Sequence, residues 1–450
     1  MRDLTEGSIA RHLIVLALPI AIGMLFQMLY FLIDLYFVAQ LGEAAIAGVG
    51  AAGNVQFLVM ALTQVLAIGT MALIAHASGR KDAGDANLVF NQGLALALAC
   101  AALVLVGGYA GAGAYMRAIA ADAATAEAGI AYLHAFLPGL ALQFALATLG
   151  SALRGTGIAK PTMLVQIVTV LLNALLAPIL IAGWLTGSAF GVAGAGWASS
   201  ISIAVGVALM IVYFARLEKF VGFERRRMWP QWSTWARILR IGVPPGGEFA
   251  LMFVYMAVVY WVIRGFGAEA QAGYGIGMRV MQAIFLPAMA IAFATAPLAG
   301  QNVGANRPER VRASFHVAAL IGSALMLVLT LMCQWRPQWF VQPFTADAQV
   351  VAVAAQFLQI IAWNFVASGL IFTCSGLFQA LGNTRPALYS SASRLLTFVL
   401  PAIWMASWPR FELRDLWLLS VATVTLQALL SLVLLRREMR ERLPRLATAT

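Results

Sequence analysis

Residues 13–38, LIVLALPIAIGMLFQMLYFLIDLYFV, form an apolar run long enough to cross a bilayer, and about eleven runs of similar length follow it. As a helix, roughly 20 mostly apolar residues cover a hydrocarbon core of about 30 Å. Backbone groups in lipid must find their hydrogen bonds within the spanning element, so runs of this length are restricted to helices. The expected fold is therefore an all-α polytopic membrane protein of about twelve transmembrane helices. Their expected positions are 13–38, 46–78, 88–112, 128–153, 161–184, 191–215, 238–264, 270–303, 313–334, 350–380, 386–408 and 415–435. With 62% hydrophobic residues and a mean hydropathy of +0.86, the 450-residue chain is not an ordinary soluble protein. The loops leave no room for a globular extramembrane domain. The first twelve residues are charged and no small-residue cleavage site follows the first run, so it reads as a retained helix rather than a signal peptide.

A net charge of +11 could point to nucleic acid, but its placement argues otherwise. Arg2, Arg11 and the stretches 80–81, 154–160, 216–240, 307–312, 385 and 436–445 hold 22 of the 29 basic residues. The opposite loops hold five: Arg117, Arg264, Arg336, Arg410 and Arg414. By the positive-inside rule this alternation places both termini in the cytoplasm and makes the number of spans even. The charge is topological.

An internal repeat organises the chain. Pro19 matches Pro244, Gly42 matches Gly267, Gly48 matches Gly273, Gly79 matches Gly304, Gly157 matches Gly382 and Pro161 matches Pro386, each pair 225 residues apart. A single offset kept over this distance points to duplication. With six helices per copy, the halves share an orientation, and a pseudo-two-fold axis along the membrane normal is expected. This gives an N-lobe at 1–215, a cytoplasmic linker at 216–237, and a C-lobe at 238–450 that ends in a basic cytoplasmic tail. Trp229, Trp232 and Trp235 in and beside the linker suit the headgroup layer. Parallel repeats of this build hold substrate near the bilayer midplane while the lobes rock.

Of the 18 acidic residues, only Asp34 and Glu248 fall in the interior of the expected spans. A carboxylate at bilayer depth costs about 2.5–3.5 kcal/mol on insertion scales, which makes it a candidate ion, proton or substrate site. Asp34 has no basic residue expected at its depth; the alternative role is a structural, hydrogen-bonded acid. Pro19 removes a helical hydrogen bond and crowds the carbonyl of Val15, so it is the candidate hinge. Glu248 shares its half with two intramembrane arginines, Arg279 and Arg394. It either pairs with one of them or binds cationic substrate or a second proton. Gln27, Asn54 and Asn364 are candidates to line the same substrate path, and each serves equally well as an interhelical hydrogen bond. His76, His134 and His316 have no partner at ligand spacing, and Cys100, Cys333 and Cys374 lie in apolar segments, so no metal site is expected. No P-loop, HExxH or GxSxG occurs, which argues against an enzyme.

DLTEGSIARHLIVLALPI (3–20), FLIDLYFVAQLGEAAIAGVG (31–50), LRGTGIAKP (153–161) and LGNTRP (381–386) resemble the multidrug and toxic compound extrusion (MATE) family, and its DinF-like branch most closely. The resemblance implies twelve helices in two six-helix lobes, acting as a monomer in the bacterial inner membrane. It implies export of hydrophobic or cationic small molecules, driven by inward movement of protons or sodium, with no other cofactor. Asp34 matches the family's helix 1 acid of cation coupling, Asn173 in LLNALLAPIL (171–180) its helix 5 asparagine, and Ser199 its helix 6 hydroxyl. Where many relatives carry a second acid, this chain has Ala177. A hard-cation site with one carboxylate holds sodium weakly, which favours protons. Glu248 stands where some DinF-like relatives have a glutamate; NorM-like members carry theirs one turn later, at the position of Met252. The reading is a proton-coupled multidrug antiporter working by alternating access. Its rivals are a lipid-linked precursor flippase of the same superfamily and, from a different class, a receptor that transports nothing.

Overall fold

The computed structural model describes residues 1–184, 187–345 and 347–447, the last three as backbone only. The end of the expected tail, 448–450, lies outside the described residues. The first half is built from α1 (Ile9–Ala39), α2 (Glu43–Gly79), α3 (Ala83–Ile119), α4 (Ala123–Gly155), α5 (Lys160–Ala182) and α6 (Gly191–Arg216). The second has α7 (Trp232–Ile263), α8 (Ala268–Gly304), α9 (Pro308–Trp335), the one-turn α10 (Gln338–Val341), α11 (Ala348–Ile361), α12 (Asn364–Ala380), α13 (Arg385–Met405) and α14 (Leu413–Ala447). No strand occurs among the described residues.

Ten of these helices are long and apolar enough to span a membrane, and α11 with α12 adds one more as a pair bent by 58°. The 21-residue α13, whose Arg385, Arg394 and serines lower its hydropathy, completes the twelve expected segments. The bend divides the expected span 350–380, and neither Pro nor Gly marks it. Instead, Thr330 on α9 donates its hydroxyl to the carbonyl of Ala362 at 3.0 Å, while the N–H of Trp363 turns to the carbonyl of Ile360. A side chain inserted into the carbonyl ladder is a recognised cause of a kink.

The helices begin at loops with local stops. Asp82 accepts from the N–H of Asp85 at 3.0 Å, Asp122 from that of Thr125 at 2.7 Å, and Asp347 from those of Gln349 and Val350. Each fills donors that the first helical turn leaves open.

The repeat reaches down to backbone conformation. Gly42 and Gly267, ahead of α2 and α8, share φ near +100° (102° and 92°) with ψ 176°, a region closed to residues with a Cβ. Lys81 and Asn306, also 225 apart, are the two non-glycine residues of positive φ among the described residues, at 59° and 53°.

Two compact units result. One holds residues 1–3 and 22–242; the other holds 4–21 and 243–450. Thus α1 gives its first turns to the second unit and the rest to the first, with the change two residues after Pro19. Similarly, α7 changes membership just before Pro244 and Pro245. The first unit packs around rings such as Phe90 stacked on Phe214 at 4.9 Å. In the second, Trp417 lies parallel to Tyr274 at 5.5 Å and meets Phe357 edge-on at 4.8 Å.

Candidate functional site

The first unit contains a knot of buried polar side chains around Asp34. Asp34 lies on α1 and is 8% exposed. Tyr30 is one turn earlier on the same face, since residues four apart on a helix stack above one another. From α4, the Tyr132 hydroxyl donates to Asp34 Oδ2 at 3.4 Å. Asn173 on α5 approaches the same carboxylate, and Ser199 on α6 approaches the Tyr30 hydroxyl. Neither completes a bond: Asp34 Oδ1, the Tyr30 hydroxyl, both amide atoms of Asn173 and Ser199 Oγ are all buried without a hydrogen-bond partner. Buried polar groups are normally satisfied, so this cluster stands out for hydrogen-bonding capacity that its own side chains do not use. No basic residue pairs with Asp34 among the described residues.

Three of the sequence candidates are thus brought together: Asp34, Asn173 and Ser199. Gln27 shares the helix face of Asp34 two turns away and is half-buried. Asn54 is exposed on α2. Tyr30 and Tyr132 were missed. Tyr30 carried a legible signal, its four-residue spacing from the acid; Tyr132 comes from another helix 98 residues along and carried none.

In the second unit, Glu248 on α7 is half-buried. Ser391 on α13 donates to its Oε2 at 3.2 Å, and Gln427 on α14 donates to Ser391 Oγ at 3.4 Å. Glu248 Oε1 and Gln427 Oε1 are buried without partners. Of the two alternatives for Glu248, pairing with Arg279 or Arg394 is not what the structure shows. Arg279 is exposed on α8, and the Arg394 guanidinium lies 4.6 Å over the Tyr255 ring. A guanidinium on an aromatic face gains cation–π energy in place of the ion pair. Asn364 is 3% exposed at the start of α12, with its Oδ1 unpartnered, and it does not join Glu248. Pro19 lies inside an unbroken α1. No group of three His, Cys, Asp or Glu side chains that could hold a metal occurs among the described residues.

The sequence matches the MatE family model twice, over residues 19–179 and 244–405. The chain belongs to the MatE family. The two matches begin at Pro19 and Pro244, the same prolines that open the 225-residue repeat. Similar proteins include the probable multidrug resistance protein YpnP of Bacillus subtilis, 24% identical over 92% of this chain and 91% of that one. Another is the probable multidrug resistance protein NorM of Deinococcus radiodurans, 27% identical over 93% of both. Among solved structures, a MATE in the bent conformation superposes with a TM-score of 0.92 at 23% identity, covering 99% of this chain and 98% of the other. MatE proteins are transporters rather than enzymes, and the twelve-segment, all-helical build found here is theirs.

Within this MatE chain the acid site belongs to one copy of the repeat only. Tyr30 corresponds to Tyr255, but Asp34, Tyr132 and Asn173 correspond to Val259, Phe357 and Phe398, all buried in the apolar core of the second unit. Glu248 corresponds instead to Gly23. Eleven residues separate Glu248 from Val259, roughly 16 Å along a helix. The two acids are therefore not repeats of one another.

Proposed function

We propose that this chain is a secondary active exporter of small hydrophobic or cationic molecules, exchanging them for protons by alternating access. The observation that carries the reading is Asp34: a buried acid, with no basic partner, among side chains that have hydrogen-bonding capacity to spare. A proton relieves the cost of keeping such a carboxylate in the membrane. Gaining it removes the charge, changes what Tyr132 and Asn173 can bond to, and favours release of cargo outward; losing it toward the cytoplasm resets the site. Protons fit better than sodium because Asp34 is the cluster's only carboxylate, with buried Ala177 one turn beyond Asn173. The names of the relatives, multidrug resistance proteins in two bacteria, support the cargo class. A bacterial inner membrane, cytoplasmic termini and a monomer complete the proposal, with the Pro19 region as its hinge.

Glu248, with Gln27, Asn54 and Asn364, is assigned to substrate or a second proton. Export is favoured over a lipid-linked precursor flippase, because the buried groups with spare capacity are two acids and neutral dipoles, with Arg394 Nε the single cationic atom among them, rather than a cationic cradle. The test is dye efflux from proteoliposomes under separately imposed proton and sodium gradients. Asp34→Asn should fold and abolish proton-driven efflux. An Asp34→Asn protein that pumps at the wild-type rate refutes the assignment. Efflux driven by sodium alone replaces the ion, and absence of any flux in the wild type revives the receptor.

A further inference from the structure

The connection between α6 and α7 is held against α3 along most of its length. Asn87 Oδ1 accepts from the Gly222 N–H at 2.8 Å. Asn91 donates to the Gly222 carbonyl and accepts from the Glu224 N–H, both at 2.9 Å. Gln92 donates to the carbonyls of Arg227 and Trp229 at 2.5 and 2.6 Å and accepts from the Gln231 N–H at 2.8 Å. Three neighbouring amides thus fix the backbone of residues 222–231.

The charges of this stretch divide cleanly. Its acids are consumed internally: Glu218 meets the Met1 ammonium at 3.5 Å and the Phe220 N–H at 2.9 Å, and Glu224 is held by Arg227 at 2.6 Å and by Asn87. Arg227 also donates to the Gly84 carbonyl at 2.5 Å. Lys219, Arg225 and Arg226 are different: all three are exposed, and none of their side chains makes a hydrogen bond or ion pair among the described residues. Beside them Trp229 and Trp232 are 79% and 76% exposed, and Leu217 and Phe223 are exposed as well. Exposed tryptophans next to unpaired arginines, on a backbone that cannot fold them away, suit neither water nor hydrocarbon. They suit the layer between the two.

We propose that this face binds the headgroups of anionic phospholipids, Arg225 and Arg226 taking phosphate while Trp229 and Trp232 enter the headgroup layer. The guanidinium fork matches phosphate geometry. Two membrane-spanning helices bracket the segment, α6 ending at Arg216 and α7 starting at Trp232, so it lies at the depth of a bilayer surface rather than out where a soluble partner would dock.

The experiment is native mass spectrometry of the full chain titrated with phosphatidylglycerol or phosphatidylcholine. Each basic side chain near an anionic surface is worth about fivefold in binding. The double variant Arg225→Gln/Arg226→Gln should therefore lose roughly twenty-fivefold in phosphatidylglycerol affinity, with phosphatidylcholine unchanged. Asn91→Ala should also weaken phosphatidylglycerol binding, although it removes no charge. Arg436→Gln/Arg440→Gln, an equal loss of exposed charge on α14, should not. An unaffected Arg225/Arg226 variant, or an equal loss in the α14 pair, overturns the site. An unaffected Asn91→Ala protein overturns the pinned display, and displacement of phosphatidylglycerol by millimolar inorganic phosphate overturns the lipid as its ligand.

Discussion

At Asp34 the neighbours are neutral: the Tyr132 hydroxyl at 3.4 Å, Asn173 beside it and Tyr30 one turn back. At Glu248 they are Ser391 and, one bond further, Gln427. Neither acid has an arginine against it, and this changes what a mutation at Glu248 means. Breaking a buried ion pair leaves a stranded charge and costs several kcal/mol, so a dead Glu248 variant in a paired site would be uninformative. Here Glu248→Gln strands nothing and can still accept from Ser391. Its thermal midpoint should stay within about 2 °C of wild type. On the role proposed for Glu248, efflux of a cationic dye should fall about tenfold, the scale of one charge-assisted contact, while efflux of a neutral hydrophobic substrate is unchanged. Equal loss for both, or a collapsed midpoint, would make Glu248 structural. Sequence could identify both acids because charge inside an apolar run is conspicuous. It could not assign their partners, because whether Arg394 on α13 meets Glu248 or the Tyr255 ring depends on rotation about the helix axis, which hydropathy does not encode.

Among the elements, spans were legible and their interruptions were not. Apolar length locates a membrane helix to within a few residues, and the loop ends carry capping residues: Asp82, Asp122 and Asp347 stand directly before helices. The bend between α11 and α12 was invisible because its cause, Thr330, sits on another helix. The caps give a test in solution. The backbone N–H of Thr125 holds the Asp122 carboxyl below the ordinary carboxylate range. A depressed value means that the cap stabilises α4 above the unfolded pKa, near 3.9, and that this stability is lost as pH falls through the folded value. Asp122→Ala should therefore melt below wild type in detergent at pH 6, and the two midpoints should converge as pH is lowered through and below 3.9. A gap of constant size across that range would show that the cap acts without its charge.

In the molecule as a whole, duplication has preserved backbone and released chemistry. Gly42 and Gly267, and Lys81 and Asn306, keep matching conformations across 225 residues, whereas Asp34, Tyr132 and Asn173 correspond to Val259, Phe357 and Phe398 at the same offset. The second copy fills the matching places with apolar and aromatic side chains, Tyr255 lying against Phe398 at 4.6 Å. Coupling through Asp34 would then be a property of one unit, and it could not be restored by supplying an acid at the matching position of the other. Val259→Asp tests this. The new carboxylate would enter a site 1% exposed, with Phe398 and Phe357 in place of the asparagine and tyrosine that surround Asp34. It should cost about 3 kcal/mol, the insertion penalty of an aspartate at helix centre, which thermal melting in detergent would register as a lower midpoint. Combined with Asp34→Asn, it should leave proton-driven efflux abolished, since the second unit lacks the polar neighbours at those positions. If the double variant instead regained proton-driven efflux, the neighbours would be dispensable and a lone buried acid in either half would suffice.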